Sequence, residues 1–227
     1  MNIKTIFLST CLILFSIICS QAQISRTVSA ISDLHVTDRL LVNIIPSDRG
    51  EMVIEGEQAD KVQAIFEDDG TLRLKMAAGH NLQGHETAVT LYIPTLSKID
   101  VRKGAVANVE QEALKGEALL FVAREGGRIR ALVEAVGIDV SANTGGAVDL
   151  LGNTTKINIS TTAGGSFYGK DLTSELVHAR VNGGGRTEVY ATGSADVETR
   201  MGGVIEVYGN PSERRNKTIM GGKINFH

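Results

Sequence analysis

Double glycines recur through the second half of the chain at Gly126-Gly127, Gly145-Gly146, Gly164-Gly165, Gly184-Gly185, Gly202-Gly203 and Gly221-Gly222, with successive first glycines 19, 19, 20, 18 and 19 residues apart. A fixed period of this size specifies a solenoid or array, in which each unit packs mainly against its neighbours. The unit is too short for a helix pair, and its flanks are strand-like. Two residues after the second glycine stand Ile129, Val148, Phe167, Thr187, Ile205 and Ile224, and four after it Ala131, Leu150, Gly169, Val189, Val207 and Phe226. Between them lie Arg130, Asp149, Tyr168, Glu188, Glu206 and Asn225. This alternation is that of a strand with one buried face. Before the glycines the same alternation puts Leu119, Ile138, Ile157, Val177 and Ala195 inward, followed by Phe121, Val140, Ile159, Ala179 and Val197.

Each unit therefore reads as strand, Gly-Gly corner, strand. A chain turning between two sheets in two residues visits positive φ, which glycine tolerates and side-chain-bearing residues resist. Gly146 and Gly165 are expected in that conformation, and stretches such as Gly152-Asn153-Thr154-Thr155-Lys156 are expected to make the return. Equivalent residues of successive coils would stack at about 4.8 Å. The expected fold is an all-β, single-stranded parallel β-solenoid (β-helix) with coils of about 19 residues, regular over 101–227 and capped by an N-terminal β region over 23–100. Within that region Leu40–Ile45, Met52–Glu55, Val62–Phe66, Leu72–Met76 and Ala88–Ile93 read as strands, and 79–86 as the longest irregular stretch. Such a region would cover the end coil, which otherwise exposes core and an unpaired edge. No linker divides residues 23–227.

Residues 1–22 read as a secretory signal peptide: Lys4, an apolar run from Ile6 to Cys19, then Ser20-Gln21-Ala22 with small residues for cleavage before Gln23. The run is too short for the roughly 20 residues of a membrane span, and Ile18 before Cys19 does not suit a lipobox. Both cysteines fall in this segment, so the processed chain would fold without disulfides. The chain holds 23 Lys+Arg against 26 Asp+Glu; without Lys4 this is 22 against 26, net −4, which argues against nucleic acid as a partner.

Asp69-Gly70-Thr71-Leu72, Tyr92-Ile93-Pro94-Thr95-Leu96 leading to Lys103-Gly104-Ala105, the glycine-centred repeats and a closing Tyr208-Gly209-Asn210-Pro211 together resemble the head GIN domain family of auto-transporter adhesins. The resemblance covers nearly all of residues 23–227. It implies a right-handed β-helix, export by a Gram-negative bacterium to the periplasm or cell surface, and an adhesive role. It supplies no catalytic residue. Gly-Gly stands here where the family often has Gly-Ser-Gly or Gly-Ala-Ser.

Outward carboxylates raise the alternative of a polysaccharide-active enzyme, a lyase or glycosidase. Glu188 and Glu206 occupy one column on adjacent coils, near the separation of a retaining pair, and Asp149 lies two coils from Glu188. Charge at solvated positions alternating with core is the commoner reason for such residues. There is no cysteine nucleophile after residue 22 and no G-x-S-x-G. His80, His85 and Glu86 fit no zinc signature, and Gly183-Gly184-Gly185 lacks the helix and Lys-Ser/Thr of a phosphate loop. No catalytic residue, metal or cofactor is assigned.

Tyr190 and Tyr208 share a repeat position five residues after the corner, with Tyr168 nearby. Stacking along the rod is the ordinary role of such rings, and sugar binding the functional one. The leading reading is a non-enzymatic binder or scaffold of the cell envelope, with Asp149, Tyr168, Glu188, Tyr190, Glu206 and Tyr208 as contact surface and envelope or host glycans or proteins as partners. Lys223-Ile224-Asn225-Phe226-His227 reads as a last strand whose open edge favours self-association.

Overall fold

The structure, a computed structural model, describes residues 23–227; the expected signal peptide lies outside them. Eight short strands open the chain: β1 (Gln23–Thr27), β2 (Asp33–Val36), β3 (Leu41–Pro46), β4 (Glu51–Gly56), β5 (Val62–Phe66), β6 (Thr71–Met76), β7 (Thr87–Ile93) and β8 (Lys98–Val101). Five long strands follow, β9 (Val106–Ala123), β10 (Arg128–Asn143), β11 (Ala147–Thr162), β12 (Ser166–Asn182) and β13 (Arg186–Arg200), then β14 (Val204–Tyr208), β15 (Glu213–Ile219) and β16 (Lys223–Phe226). The long strands pair in parallel, each with the next, and build a β-solenoid of about seven turns.

Parallel pairing holds the repeat columns in register. Ile129 faces Val148, which faces Phe167, Thr187 and Ile205 in turn, and all five are buried. Ile138, Ile157, Val177 and Ala195 form a second interior column, and Val140, Ile159, Ala179 and Val197 a third. Volume is exchanged between neighbours: a Cβ on Gly169 would overlap the buried ring of Phe167, so the glycine leaves the room the ring fills. The returns, such as residues 152–156, are themselves strand. Gly152 pairs with Val133 and with Leu172, so the backbone bends there without leaving the ladder. That continuity satisfies peptide groups an irregular return would leave to water.

At the corners, positive φ begins one residue earlier than expected. Glu125, Thr144 and Ala163 have φ of 52°, 49° and 48°, and Gly126, Gly145 and Gly164 follow at 74°, 72° and 76°. The N–H groups of Gly127, Gly146 and Gly165 donate to the carbonyls of Arg124, Asn143 and Thr162 at 2.9, 2.9 and 3.0 Å. Two left-handed residues closed by this bond make a type I′ turn. Gly127, Gly146 and Gly165 themselves are not left-handed. They are glycine because a Cβ would collide with the carbonyl oxygens of Val101, Ala123 and Ala142 on the preceding coil. Gly183, at φ 72°, takes the place of Thr144 and Ala163 in this pattern, which accounts for the triple glycine.

The same corner recurs earlier at Arg102-Lys103-Gly104-Ala105 and Thr37-Asp38-Arg39-Leu40, each with two positive-φ residues and the closing bond. The pair β2–β3 is thus a coil lacking the glycine signature. From β3 the chain runs outward to β4 and β5 and returns through β6 and β7, which lie against β2 and β3. β8 then joins β2 to β9. The outermost pairings, β1–β4, β4–β7 and β5–β6, are antiparallel.

Two sheet faces result. The face following the corners runs β1-β4-β7-β3-β9-β10-β11-β12-β13-β14-β16, and the face preceding them runs β5-β6-β2-β8-β9 and on through β13 to β15. At the far end β15 places Arg214, Asn216 and Thr218 beside Ala195, Val197 and Thr199, so the interior columns finish in polar side chains. The Arg214 guanidinium sits over the Phe226 ring at 5.1 Å. This polar finish was not visible from the repeat.

Candidate functional site

The face following the corners carries one continuous outward column. Asn43 is in register with Asn108, then Arg130, Asp149, Tyr168, Glu188, Glu206 and Asn225. Asn108 Nδ2 donates to Asn43 Oδ1 at 3.3 Å, and Arg130 Nε lies 3.7 Å from Asp149 Oδ2. The column nearer the corner contains Arg128, Ala147, Ser166 and Arg186 in successive coils. Around the small side chain of Ala147 lies a depression of about 270 Å³, lined by Val106, Asn108, Arg128, Arg130, Ala147, Asp149 and Tyr168 among others. The Tyr168 ring, 40% exposed, forms its apolar wall. Burial pushes the Asp149 carboxyl up, Arg130 opposes that, and Asp171 and Glu188 add to it.

Further along, one guanidinium joins the two expected carboxylates. Arg186 Nε donates to Glu188 Oε1 at 2.6 Å, and its Nη1 stands 3.8 Å from Glu206 Oε1. Glu206 also accepts from Asn225 Nδ2 at 3.0 Å and His227 Nε2 at 2.8 Å. The hydrogen bond from His227 holds its carboxyl below the usual glutamate range, outweighing burial, with help from Asn225 and Arg186. Tyr190 and Tyr208 pair in register, as the repeat position implied. Tyr208, however, stacks on His227 (4.7 Å between centroids, 15° between planes) and takes Lys170 Nζ over its face at 4.7 Å. Tyr190 lies beside Gly209, where a Cβ would approach its Cε1. Tyr168 belongs to the Glu188 column, one position away from these two.

The carboxylate Asp149, shifted upward, and Glu206, shifted downward, could divide acid and base roles if they shared a substrate. They are three coils apart, about 14 Å along the ladder at ~4.8 Å per coil. A glycosidic pair stands roughly 5–9.5 Å apart. On the loop before β7, His80 Nδ1 is 2.7 Å from Gln83 Oε1 and His85 Nδ1 is 3.0 Å from the Leu82 carbonyl. Among the described residues no three His, Cys, Asp or Glu side chains gather where a metal ion could be held.

The groove residues Asn108, Arg128 and Arg130 and the bridging Arg186 and His227 were not among those singled out from the sequence. Arg130 has a signal, since it holds the repeat position of Asp149. Asn108 could be placed only by recognising Lys103-Gly104-Ala105 as a corner.

Residues 31–211 match the family described as "Putative auto-transporter adhesin, head GIN domain". The chain belongs to that family. No curated protein matches the sequence. Among solved structures, this head GIN chain is similar to a putative adhesin from Bacteroides fragilis, with 20% identity, a TM-score of 0.83, and coverage of 92% of this chain and 98% of that one. A putative adhesin from Parabacteroides distasonis (16% identity, TM-score 0.70, coverage 92% and 97%) has the same fold. So does a structure described as a putative lipid binding protein from that organism (13% identity, TM-score 0.67, coverage 92% and 98%). At these identities the likeness establishes the GIN solenoid and leaves the groove residues to be read on their own chemistry.

Proposed function

We propose that this head GIN protein is exported to the cell envelope and acts there by binding an extended carbohydrate, without turnover, along the face following the corners. The observation that carries the reading is the groove on the outward column, where Tyr168 offers an apolar ring face and Asn108, Arg128, Arg130 and Asp149 surround it with donors and acceptors. At about 270 Å³ the depression is smaller than the roughly 300–1,000 Å³ of pockets that enclose a free small molecule. It suits one unit of a polymer whose neighbouring units stay at the surface. A rigid column repeating every ~4.8 Å meets such a polymer with little ordering cost. Glu188, Tyr190 and Tyr208 extend the same face, while Glu206, buried beneath Arg186, Asn225 and His227, orders those side chains. The leader-like residues 1–22 and membership in an adhesin family support export.

The test is a binding screen against envelope and host polysaccharides beside a turnover assay on the same set. Tyr168→Ala and Arg130→Ala, both at exposed positions, are expected to weaken the best ligand about tenfold each, near 1.4 kcal/mol, at unchanged melting temperature. Affinity unaltered in both variants would remove this surface. Polysaccharide cleavage lost in Asp149→Asn or Glu188→Gln would replace the reading with an enzymatic one.

A further inference from the structure

The two ends of the solenoid differ in charge and match in strand geometry, and we infer that the protein associates head to tail with further copies of itself, the β15/β16 end of one copy docking on the β1/β5 end of the next.

The charge is unevenly placed. Residues 23–32 and 46–70, which contain β1, β4, β5 and their connections, carry eight acidic side chains (Asp48, Glu51, Glu55, Glu57, Asp60, Glu67, Asp68 and Asp69) and three basic ones, a net of −5. Residues 213–227 carry Arg214, Arg215, Lys217 and Lys223 against Glu213, a net of +3. Local pairing uses up part of each set: Lys61 meets Asp60, Arg73 meets Glu67, Arg215 stands 3.9 Å from Glu213 and Lys217 3.9 Å from Glu198. Among the described residues Glu55, Glu57 and Asp68 have no ion pair, and the Arg215 and Lys217 side chains are largely exposed. Two basic ends repel, and so do two acidic ones. A basic end against an acidic end attracts.

The strand edges agree with that choice. On the face following the corners the terminal strands are β1 and β16; on the other face they are β5 and β15. Among the described residues each pairs on one side alone and presents a free row of backbone donors and acceptors on the other. β1 is antiparallel to β4 and β4 to β7, so β1 runs in the direction of β16 and would continue the sheet in parallel. β5 runs against β6 and would meet β15 in antiparallel register. The lengths are compatible: five and four residues for β1 and β16, five and seven for β5 and β15. β5 is uncharged, with Ile65 and Phe66 exposed, so burial adds to pairing there. Contact between unlike ends leaves a free end on each copy and builds open chains, whereas contact between like ends closes at a dimer.

The experiment uses protein purified after export, in analytical ultracentrifugation over a concentration series at low salt and at roughly 0.5 M NaCl, where screening falls to a few ångströms. The weight-average mass should rise past that of a dimer at low salt and return to monomer at high salt. The exposed double variant Arg215→Glu/Lys217→Glu, and separately Glu57→Lys/Asp68→Lys, should each lose this growth. Mixing the two doubles should restore association only as far as a heterodimer of the two variants, because the first keeps its acidic β1/β5 end (net −5) and the second its basic β15/β16 end (net +3), whereas each altered end is left at a net of −1. A strict monomer at the highest concentration and low salt would overturn the inference. So would a discrete dimer of the unaltered protein, or association that neither double variant changes.

Discussion

Gly146 lies against the carbonyl of Ala123 on the preceding coil so closely that no Cβ fits between them. Ala105 holds the equivalent place two corners earlier with its side chain buried, so the turn itself admits a Cβ there and the requirement at Gly146 comes from the close approach of the Ala123 carbonyl.

Gly146→Ala and Gly165→Ala are therefore expected to destabilise the protein by roughly 1–3 kcal/mol through forced displacement from the preceding coil. Thr144→Gly, which relieves a left-handed threonine, should be neutral or stabilising by up to about 1 kcal/mol. Urea unfolding midpoints discriminate the two: a loss at Thr144 as large as that at Gly146 would contradict the division of roles.

How much the residues announced depends on where glycine is obligatory. Six corners were legible because close approach of stacked coils admits little else, and the alternation around them placed Ile129, Val148 and Phe167 correctly inside. The Thr37–Leu40 corner was not, because Asp38 and Arg39 take up positive φ without glycine. β2 and β8 were missed with it, being four residues each and joined through partners far away in sequence. The Glu188 and Glu206 column was readable from spacing alone. What engages it was not: Arg186 sits two residues before Glu188 and points along the column, and His227 reaches Glu206 only because β16 pairs with β14.

Phe167 and Gly169 form a compensating pair inside β12. Phe167→Ala should cost about 3–5 kcal/mol. Gly169→Ala, which drives a methyl into the ring, should cost roughly 1–3 kcal/mol. In Phe167→Leu/Gly169→Ala the smaller side chain yields space to the methyl, so the double variant should be more stable than the sum of its single changes implies. A double-mutant cycle on chemical denaturation that closes additively would show that the two positions do not share this volume.

Asp100 anchors the junction between the first coils on the face preceding the corners. Its side chain is 2% exposed, and it accepts from Arg102 Nε at 2.9 Å, Arg102 Nη2 at 2.7 Å and Arg124 Nη2 at 3.4 Å. Burial raises its carboxyl, but the arginines outweigh that and hold it below the usual aspartate range. Asp100→Ala leaves the two guanidinium groups without their acceptor, an expected loss of about 2–4 kcal/mol. Arg102→Lys, which keeps charge but not the two-pronged contact, should lose about half as much. Thermal melts of the two variants give the order directly, and equal stability of Asp100→Ala and the unaltered protein would remove the anchor.

Glu206 and His227 link the last coil to pH. The Glu206 carboxyl titrates below its usual value of 4.5 in the folded chain, chiefly because His227 donates to it. A carboxyl with a depressed folded value binds protons more readily in the unfolded chain, so its stabilising contribution is complete above the ordinary glutamate range and fades as pH falls through the folded value. Removing the donor with His227→Ala should bring the Glu206 value back toward 4.5 and shrink that contribution. The same change removes the ring stacked on Tyr208, so some loss of stability is expected at every pH. The diagnostic quantity is the difference between the melting temperatures of the unaltered and His227→Ala proteins, followed from pH 7 to about pH 3. It should be largest near neutrality and narrow below about pH 4.5 as Glu206 protonates in both. A difference that stays constant over that range would mean that stacking alone joins His227 to the solenoid and that its bond to Glu206 adds nothing.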